Sequence, residues 1–558
     1  MASFTGAGAD PAPPSGIPSE AAASAVGPST VATAATDEAS SAAADDLTGD
    51  ITFSVPSGTF QGQMSVSLST QVNNAEIRYT TNGELPTASS QVYSGSPLQF
   101  TTTTQLRAQA FASGQAAGDP GTAVYIAHSF DATHDMPLLV MDAYGGGKPG
   151  RQYEDVATMI MEPQAGTTSI SADPAVATRA GFRLRGQSSS EFPKAPYRLE
   201  LWNNNDKDAA YPVLGMPAEA DWVLRGPFTD KALIRDALVF DLGRAMGLAA
   251  PRYEFVELYL NLDGQPMGSD DYQGVYMLTE TVKDGPDRLD IAKLGKNDTQ
   301  HPEVTGGYLF KFEWFAADEP ILRCPGAPAN CWQDLEVKRP KTLQPEQETY
   351  LAQYLLEFSN ALRGPNPSDP QTGYPAYIDV DSFVDMIIIH ELSRDMDAYI
   401  RSAYYHKDRG EKLVAGPLWD YDLTFGTGGY FNNTHAHGWQ FEQVRQPIAN
   451  DWVNRLMDDP SFQQRVDSRW RELRQGVLSN SQLEQRINQL SAPLANGAQR
   501  NFQKWPNLTD WMVGPFITPT ANTWQGQVQY LRDWTFQRAA WLDSSGWRPT
   551  GGVARAPE

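Results

Sequence analysis

Short alternations of apolar and polar residues run from about Ile51 to His128. Met64, Val66 and Leu68 alternate in QMSVSLS, and Ile77 and Tyr79 in AEIRYTT, with turn-rich breaks such as TNGELPT between the runs. A period of two punctuated by Gly, Asn and Pro predicts a small antiparallel β-sandwich. From about Asp135 the runs lengthen, and MPLLVMDAY, VATMIMEP, AGFRLRG and PYRLELW read as strands. In LIRDALVFDLGRAMG (233–247), Leu233, Ala237, Phe240, Leu242 and Met246 recur at helical spacing. YEFVELYLN, GVYMLTET and GGYLFKFE continue the strands. Beyond about residue 345 helices dominate, first in ETYLAQYLLEFSNAL and then in VDSFVDMIIIHELSRDM. The tail from 441 to 543 reads as further amphipathic helix, with Trp439, Trp452, Trp470, Trp505 and Trp511 available to pack it. A β-rich half followed by an α-rich half predicts an α+β chain with two lobes around a cleft.

The chemistry is concentrated just after that boundary. The stretch GPLWDYDLTFG (416–426) sets Asp420 and Asp422 one residue apart among Leu418, Trp419, Tyr421, Leu423 and Phe425. On an extended strand both carboxylates would share one face. Like charges that close, beside aromatic rings, call for a metal ion, an Arg or Lys, or a shared proton; otherwise the segment is a surface turn with solvated acids. Directly before it, in HELSRDMDAYIRSAYYHKDRGEKLVA, a helix ends near Arg394 and RDMDAYIRS forms a loop. Two short strands around a basic turn then lead into WDYD. That hairpin is expected to bring Asp397 close to Asp420. An acid that takes a proton from an attacking hydroxyl, followed by an acid that holds magnesium under phosphates, is the order phosphoryl transfer uses. A hairpin with satisfied surface acids is the plain alternative. His435 and His437 in NTHAHGW could ligate a transition metal with Asp420 or Asp422 as third ligand, or act as solvated loop residues.

Bulk composition narrows the partners. The formal net charge of the 558 residues is -24 and the sequence pI about 4.7, so nucleic acid and anionic membrane surfaces are not expected partners. No window approaches the roughly 18–20 apolar residues of a membrane span. The opening MASFTGAGADPAPPSG has neither the basic start nor the apolar stretch of a signal peptide, and residues 10–48 are too poor in apolar bulk to fold. Such a composition suits a tether behind a cleaved signal or anchor, so an extracytoplasmic location is expected although no signal sequence is visible. Cys324 and Cys331 are the chain's two cysteines. With no His nearby in sequence they cannot complete a zinc site, and a disulfide closing the Pro/Gly loop is simpler than two free thiols. The expected organisation is a tether (1–49), a β-sandwich (50–130), a large α+β domain (131–545) and a tail (546–558).

Two resemblances follow from these motifs. IRYTTNGELPTASSQVYSG with LRAQAFASG resembles the β-sandwich module at the C-terminus of chitobiase and hexosaminidase enzymes, which implies a spacer or a contact with cell wall or polysaccharide. RLRGQSSSEFPKAPYRLEL, LIRDALVFDLGRAMGL, YQGVYMLTETV, GGYLFKFE, DAYIRSAYYHKD and GPLWDYDLTFG, in that order, resemble the spore-coat protein H (CotH) kinase family. The resemblance implies an atypical two-lobed protein-kinase-like fold that binds ATP with Mg²⁺ or Mn²⁺ and phosphorylates Ser or Thr of a protein substrate. Carried across, Asp397 matches the catalytic-loop base and Asp420 the metal-binding Asp, with Asp422 a second ligand. Arg185, Lys194 and Arg198 are phosphate-contact candidates, and Glu280 marks the strand expected to meet adenine. Arg235 and Asp236 either order the cleft or form a helix-surface ion pair. Where kinases place a metal-binding Asn five residues after the catalytic Asp, this chain has Ser402, a weaker magnesium ligand. A non-catalytic surface or scaffold protein, a carbohydrate-active hydrolase using Asp397 with Asp420, and ATP-dependent transfer of another group are the competing readings.

Overall fold

The computed structural model describes residues 47–313, 319–444 and 449–549, so most of the expected tether and most of the tail lie outside the described residues. The alternating N-terminal runs form small antiparallel sheets around one core of Val66, Leu68, Ile77, Leu106, Ala108 and Tyr125. The long strands Thr104–Ala112 and Gly121–His128 pair antiparallel, and Gly58–Gln61 adds in parallel beyond them. This module is fastened to the next domain by buried polar contacts. Asn204 donates to the carbonyls of Leu47 and Pro120, both at 2.8 Å, and accepts from the Thr122 hydroxyl at 2.5 Å.

The following strands are β1 (Leu138–Asp142), β2 (Glu154–Met161), β3 (Val176–Leu184), β4 (Tyr197–Trp202), β5 (Asp221–Arg225), β6 (Tyr253–Asn261) and β7 (Tyr272–Glu280). They close into a seven-stranded barrel in the order β1-β2-β3-β4-β5-β7-β6. Closure comes from a parallel pairing of β1 with β6, from Leu138↔Glu257 to Asp142↔Asn261, which leaves no free edge. Phe182, Leu199, Trp222, Leu258, Tyr276 and Leu278 belong to the cluster that fills it. The sequence pattern anticipates six of these strands. It anticipates neither β5, a short buried run in DWVLR, nor the closure itself.

The second half is built on a four-stranded antiparallel sheet of β8 (Tyr308–Phe312), β9 (Leu335–Arg339), β10 (Ala403–Lys407) and β11 (Leu413–Ala415), ordered β9-β8-β10-β11. Around it lie α1 (Arg235–Met246), α2 (Pro345–Ala361), α3 (Val380–Ser393), α4 (Pro460–Gln475), α5 (Asn480–Ser491), α6 (Ala495–Lys504) and α7 (Trp524–Ser545). The five apolar positions expected to define α1's buried face are all buried. Helix α3 starts at Asp379, whose side chain accepts the Ser382 N–H, and ends at Arg394 in a left-handed conformation. Trp439, Trp452 and Trp470 pack as expected, whereas Trp511 is 64% exposed and packs nothing of the kind. Cys324 and Cys331 form a disulfide. No helix among the described residues is long and apolar enough to cross a membrane.

Helix α6 is bound to the barrel by charge. Arg500 donates Nε and Nη2 to Glu257 at 2.7 and 2.6 Å, and Glu257 also accepts from the His134 ring at 2.8 Å and from the Tyr272 hydroxyl at 2.5 Å. These bonds hold the Glu257 carboxyl down to about 2 against the upward pull of burial. Replacing Arg500 by Met leaves that fully buried carboxylate without its guanidinium. Breaking such a pair costs roughly 3–5 kcal/mol, so the chemical-denaturation midpoint should fall accordingly. An unchanged midpoint would show that the pair does not hold the helix.

Candidate functional site

Between one end of the barrel and the loops of the helical half lies a cleft. Its acidic wall is assembled from distant parts of the chain. Asp397 comes from the loop after α3, Asp420 and Asp422 from the loop after β11, and Asp236 from the first turn of α1. Hairpin β10–β11, paired through Tyr405↔Ala415 and Lys407↔Leu413, brings the two loops together as the sequence suggests.

The loops are shaped by local chemistry. Ahead of α1, Asp230 accepts the N–H groups of Ala232, Leu233 and Arg235 at 3.0, 3.1 and 2.8 Å, starting the helix where Asp236 gains from its dipole. Asp236 then accepts the N–H of Tyr421 at 2.7 Å. Helix and loop approach so closely that a Cβ on Gly243 would sit 2.2 Å from Leu418. Segment 416–426 is a series of turns and not a strand. Asp420 has φ +67° and Ser402 φ +46°, so the shared-face expectation for an extended segment fails. Left-handed backbone at non-glycine positions costs of order 1 kcal/mol or more, and here it is held at Asp420 and at Ser402 beside it. Asp420 and Asp422 nonetheless both reach the cleft.

The cation that the paired acids require is an arginine at the end of β5. Arg225 Nη1 lies 3.0 Å from Asp420 Oδ1 and 3.2 Å from Asp236 Oδ2, and its guanidinium carbon is 3.5 Å from the centre of the Trp419 ring. Thr229 donates its hydroxyl to Asp422 at 2.8 Å, and Ser402 Oγ is 3.4 Å from Asp420. Arg401 Nη1 is 3.3 Å from Asp397 Oδ1, and the Asp397 N–H donates to Asp395 at 3.1 Å. Burial dominates the titration of these acids. It pushes Asp397 up to about 6, with Asp395 and Asp420 adding to the rise and Arg401 opposing it. Asp236 is likewise pushed up to about 6 against the pull of Arg225. Burial beside Asp420 and Asp236 raises the Asp422 carboxyl well above the usual range.

Basic and irregular backbone segments line the same cleft. Arg185 lines it 5.5 Å from the Trp419 ring, followed by Gly186 at φ +76° and the turn Gln187–Ser189. The other basic candidates do not reach it. Lys194 is fully buried under Pro227, donating to Asn501 at 2.7 Å, with its ammonium pushed well below its ordinary value by burial. Arg198 pairs with Asp221 at 2.9 Å on the barrel wall. Glu280 lies in the pairing of β7 with β5, where Arg252 holds it at 2.6 Å and Arg288 also binds it, away from the cleft. Arg235 and Asp236 form no surface pair with each other: Arg235 binds Asp230 and the Thr424 carbonyl, both buried. His435 and His437 are exposed and act through backbone carbonyls that accept from Arg394. No group of three or more His, Cys, Asp or Glu side chains among the described residues is arranged to hold a metal ion, so the histidine-containing metal site is not formed.

The cleft lies within residues 182–542, which match the family model CotH kinase protein, and residues 55–122 match the chitobiase/beta-hexosaminidase C-terminal domain. The first match spans more than half of the chain, which therefore belongs to the CotH kinase protein family. Membership points to a kinase-like enzyme. No curated protein matches the chain.

The raised carboxyls make stability depend on pH with a definite sign. A carboxyl whose folded value exceeds its unfolded value near 4 binds protons more readily when folded, so its penalty grows from about pH 4 to 6 and is full above that. These acids favour the folded state as pH falls from 7.5 to 5, whereas His390, lowered to about 4 by burial, pulls the other way over the same window, so the melting temperature of a variant is set against that of the native protein in cation-free buffer. Asp422→Asn, which keeps an acceptor for Thr229, should raise it by roughly 2 °C at pH 7.5, a gain that shrinks as pH falls. A lower melting temperature in Asp422→Asn would contradict this balance.

Proposed function

We propose that the chain is an ATP- and divalent-metal-dependent kinase that transfers phosphate to Ser or Thr of a protein substrate, with the barrel and the helical half acting as the two lobes of a kinase-like cleft. The observation that carries this reading is a cleft of mixed charge, lined by Asp397, Asp420 and Asp422 together with Arg185, the 186–189 segment and Arg225, which lies 3.0 Å from Asp420. Two carboxylates are a sufficient protein contribution for Mg²⁺, which keeps waters and takes its remaining ligands from substrate phosphates. Asp420 and Asp422 would hold that ion, with Ser402 beside Asp420, and a bound cation there would neutralise charge on the phosphates.

Asp397 would accept the proton of the acceptor hydroxyl as its oxygen bonds to the γ-phosphorus and the bond to the bridging β–γ oxygen breaks, leaving ADP. Burial supports that role, since a carboxyl at about 6 is ionised at neutral pH yet more basic than a solvated one. Arg401 and the Asp397 N–H bond to Asp395 hold the carboxylate in place. Arg185 and the turn after it would contact phosphate. The Cys324–Cys331 disulfide supports an extracytoplasmic site of action, and the chitobiase-like module supports contact with cell wall or polysaccharide.

Calorimetric titration of ATP with and without Mg²⁺ or Mn²⁺ tests the nucleotide site. Metal-dependent binding is expected in the native protein and should be lost in Asp420→Asn with folding intact; equal binding in the two removes the metal assignment. Asp397→Asn should retain ATP binding while transfer to a Ser/Thr peptide library drops roughly 10²–10⁴-fold. Undiminished transfer in that variant would exclude Asp397 as the base.

A further inference from the structure

We infer that Arg225 is an exchange residue, its guanidinium standing at Asp420 in the cation-free protein and turning to an anionic phosphate oxygen once a divalent cation takes that carboxylate. This rests on the nucleotide reading above and deepens it by making cation and phosphate binding depend on each other through one side chain.

Three observations support the exchange. A single nitrogen, Nη1, serves both Asp420 and Asp236, at 3.0 and 3.2 Å. The rest of the guanidinium is underused: Nε and Nη2 are buried and have no hydrogen-bond partner among the described residues, although Arg225 lines the cleft. Buried donors left unmet are costly, and a phosphate oxygen is the acceptor that suits a guanidinium fork. Finally, the guanidinium is held against Trp419, itself buried and stacked on Phe240, in a residue that lines the cleft. Asp236 remains as the anchor in both positions, because the Tyr421 N–H and the start of α1 hold it independently of Asp420.

Two anions currently share one cation. An incoming divalent ion at Asp420 relieves that shortage and releases the guanidinium. A phosphate arriving with the ion then meets donors already desolvated. Without the ion the same phosphate meets an arginine that is occupied and carboxylates that repel it.

Inorganic pyrophosphate is titrated calorimetrically, in EDTA, into the full-length native protein and into Asp420→Asn and Asp422→Asn. Each variant removes one negative charge from the same cleft, but only Asp420→Asn releases Arg225. Asp420→Asn should bind pyrophosphate roughly 10-fold tighter than Asp422→Asn, as expected for freeing a charge at contact distance. Equal affinities, or no binding by any form, overturn the exchange. In parallel, Mn²⁺ alone is titrated into Arg225→Met and Arg225→Lys. The Met variant should bind Mn²⁺ more tightly than the native protein while binding Mn²⁺-pyrophosphate more weakly, and Lys should restore part of both. Weakening of both ligands in a folded Met variant would mark a purely structural arginine and overturn the proposal. If the Met variant does not fold, the comparison of the two Asp variants decides alone. ATP–Mg²⁺ binding by the native protein without a difference between those variants would leave the kinase reading standing and remove only the exchange.

Discussion

A group of carboxylates cannot be closed into one partly dry cleft without a positive charge among them, and Arg225 meets that constraint. The strand that bears it ends at the cleft, the helix that bears Asp236 starts there, and the loop that bears Asp420 crosses between them. Each element is aimed by its own local device: the Asp230 carboxylate at the start of α1, the close contact at Gly243, and the left-handed turn at Asp420. The barrel gives the arginine a rigid base, because β5 is hydrogen-bonded on both sides within a closed sheet.

The barrel strands bring Arg225 and the segment of Arg185 with its glycine-bearing turn, and the loops joined by hairpin β10–β11 bring Asp397, Arg401, Asp420 and Asp422. A ligand that carries both a negative group and a bound cation matches that mixture of charges. On that ground the proposed ligand is a metal–nucleotide complex and not the carbohydrate suggested by the chitobiase-like module, which joins the barrel domain through buried contacts of Asn204. The family match covers every residue that lines the cleft.

What could be read from the sequence was whatever depended on local order. The hairpin between RDMDAY and WDYD and the apolar faces of α1 and α3 are each contained within a few dozen residues and form where the pattern places them, whereas WDYD itself is not the extended segment its alternation suggested. Arg225, Asp230 and Arg401 were not legible, because nothing in DWVLRG, PFTDKA or AYIRS distinguishes a site residue from a structural one until the chain is folded. Lys194 and Glu280 were misplaced for a related reason. Linear nearness to a glycine-rich turn or to an expected strand says nothing about which way a side chain leaves the backbone, and burial under Pro227 and pairing with Arg252 decide those two cases.

Behind Asp397 lie His390 and Asp395. His390 Nδ1 is 3.3 Å from Asp395, and its ring stacks 5.5 Å from that of Tyr421. Burial lowers this histidine to about 4 and raises the Asp395 carboxyl above its ordinary range, with Asp420 and Asp236 adding to the rise. Asp395 accepts the N–H of Asp397. That bond fixes the loop backbone that carries Asp397, while Arg401 offsets the charge of the Asp397 side chain. The acids at the front of the cleft meet Arg225, Arg401 and Thr229, and Asp395 behind them meets a histidine that burial keeps neutral. That each carboxyl is met by a partner is what allows a cluster of them to coexist in one folded chain.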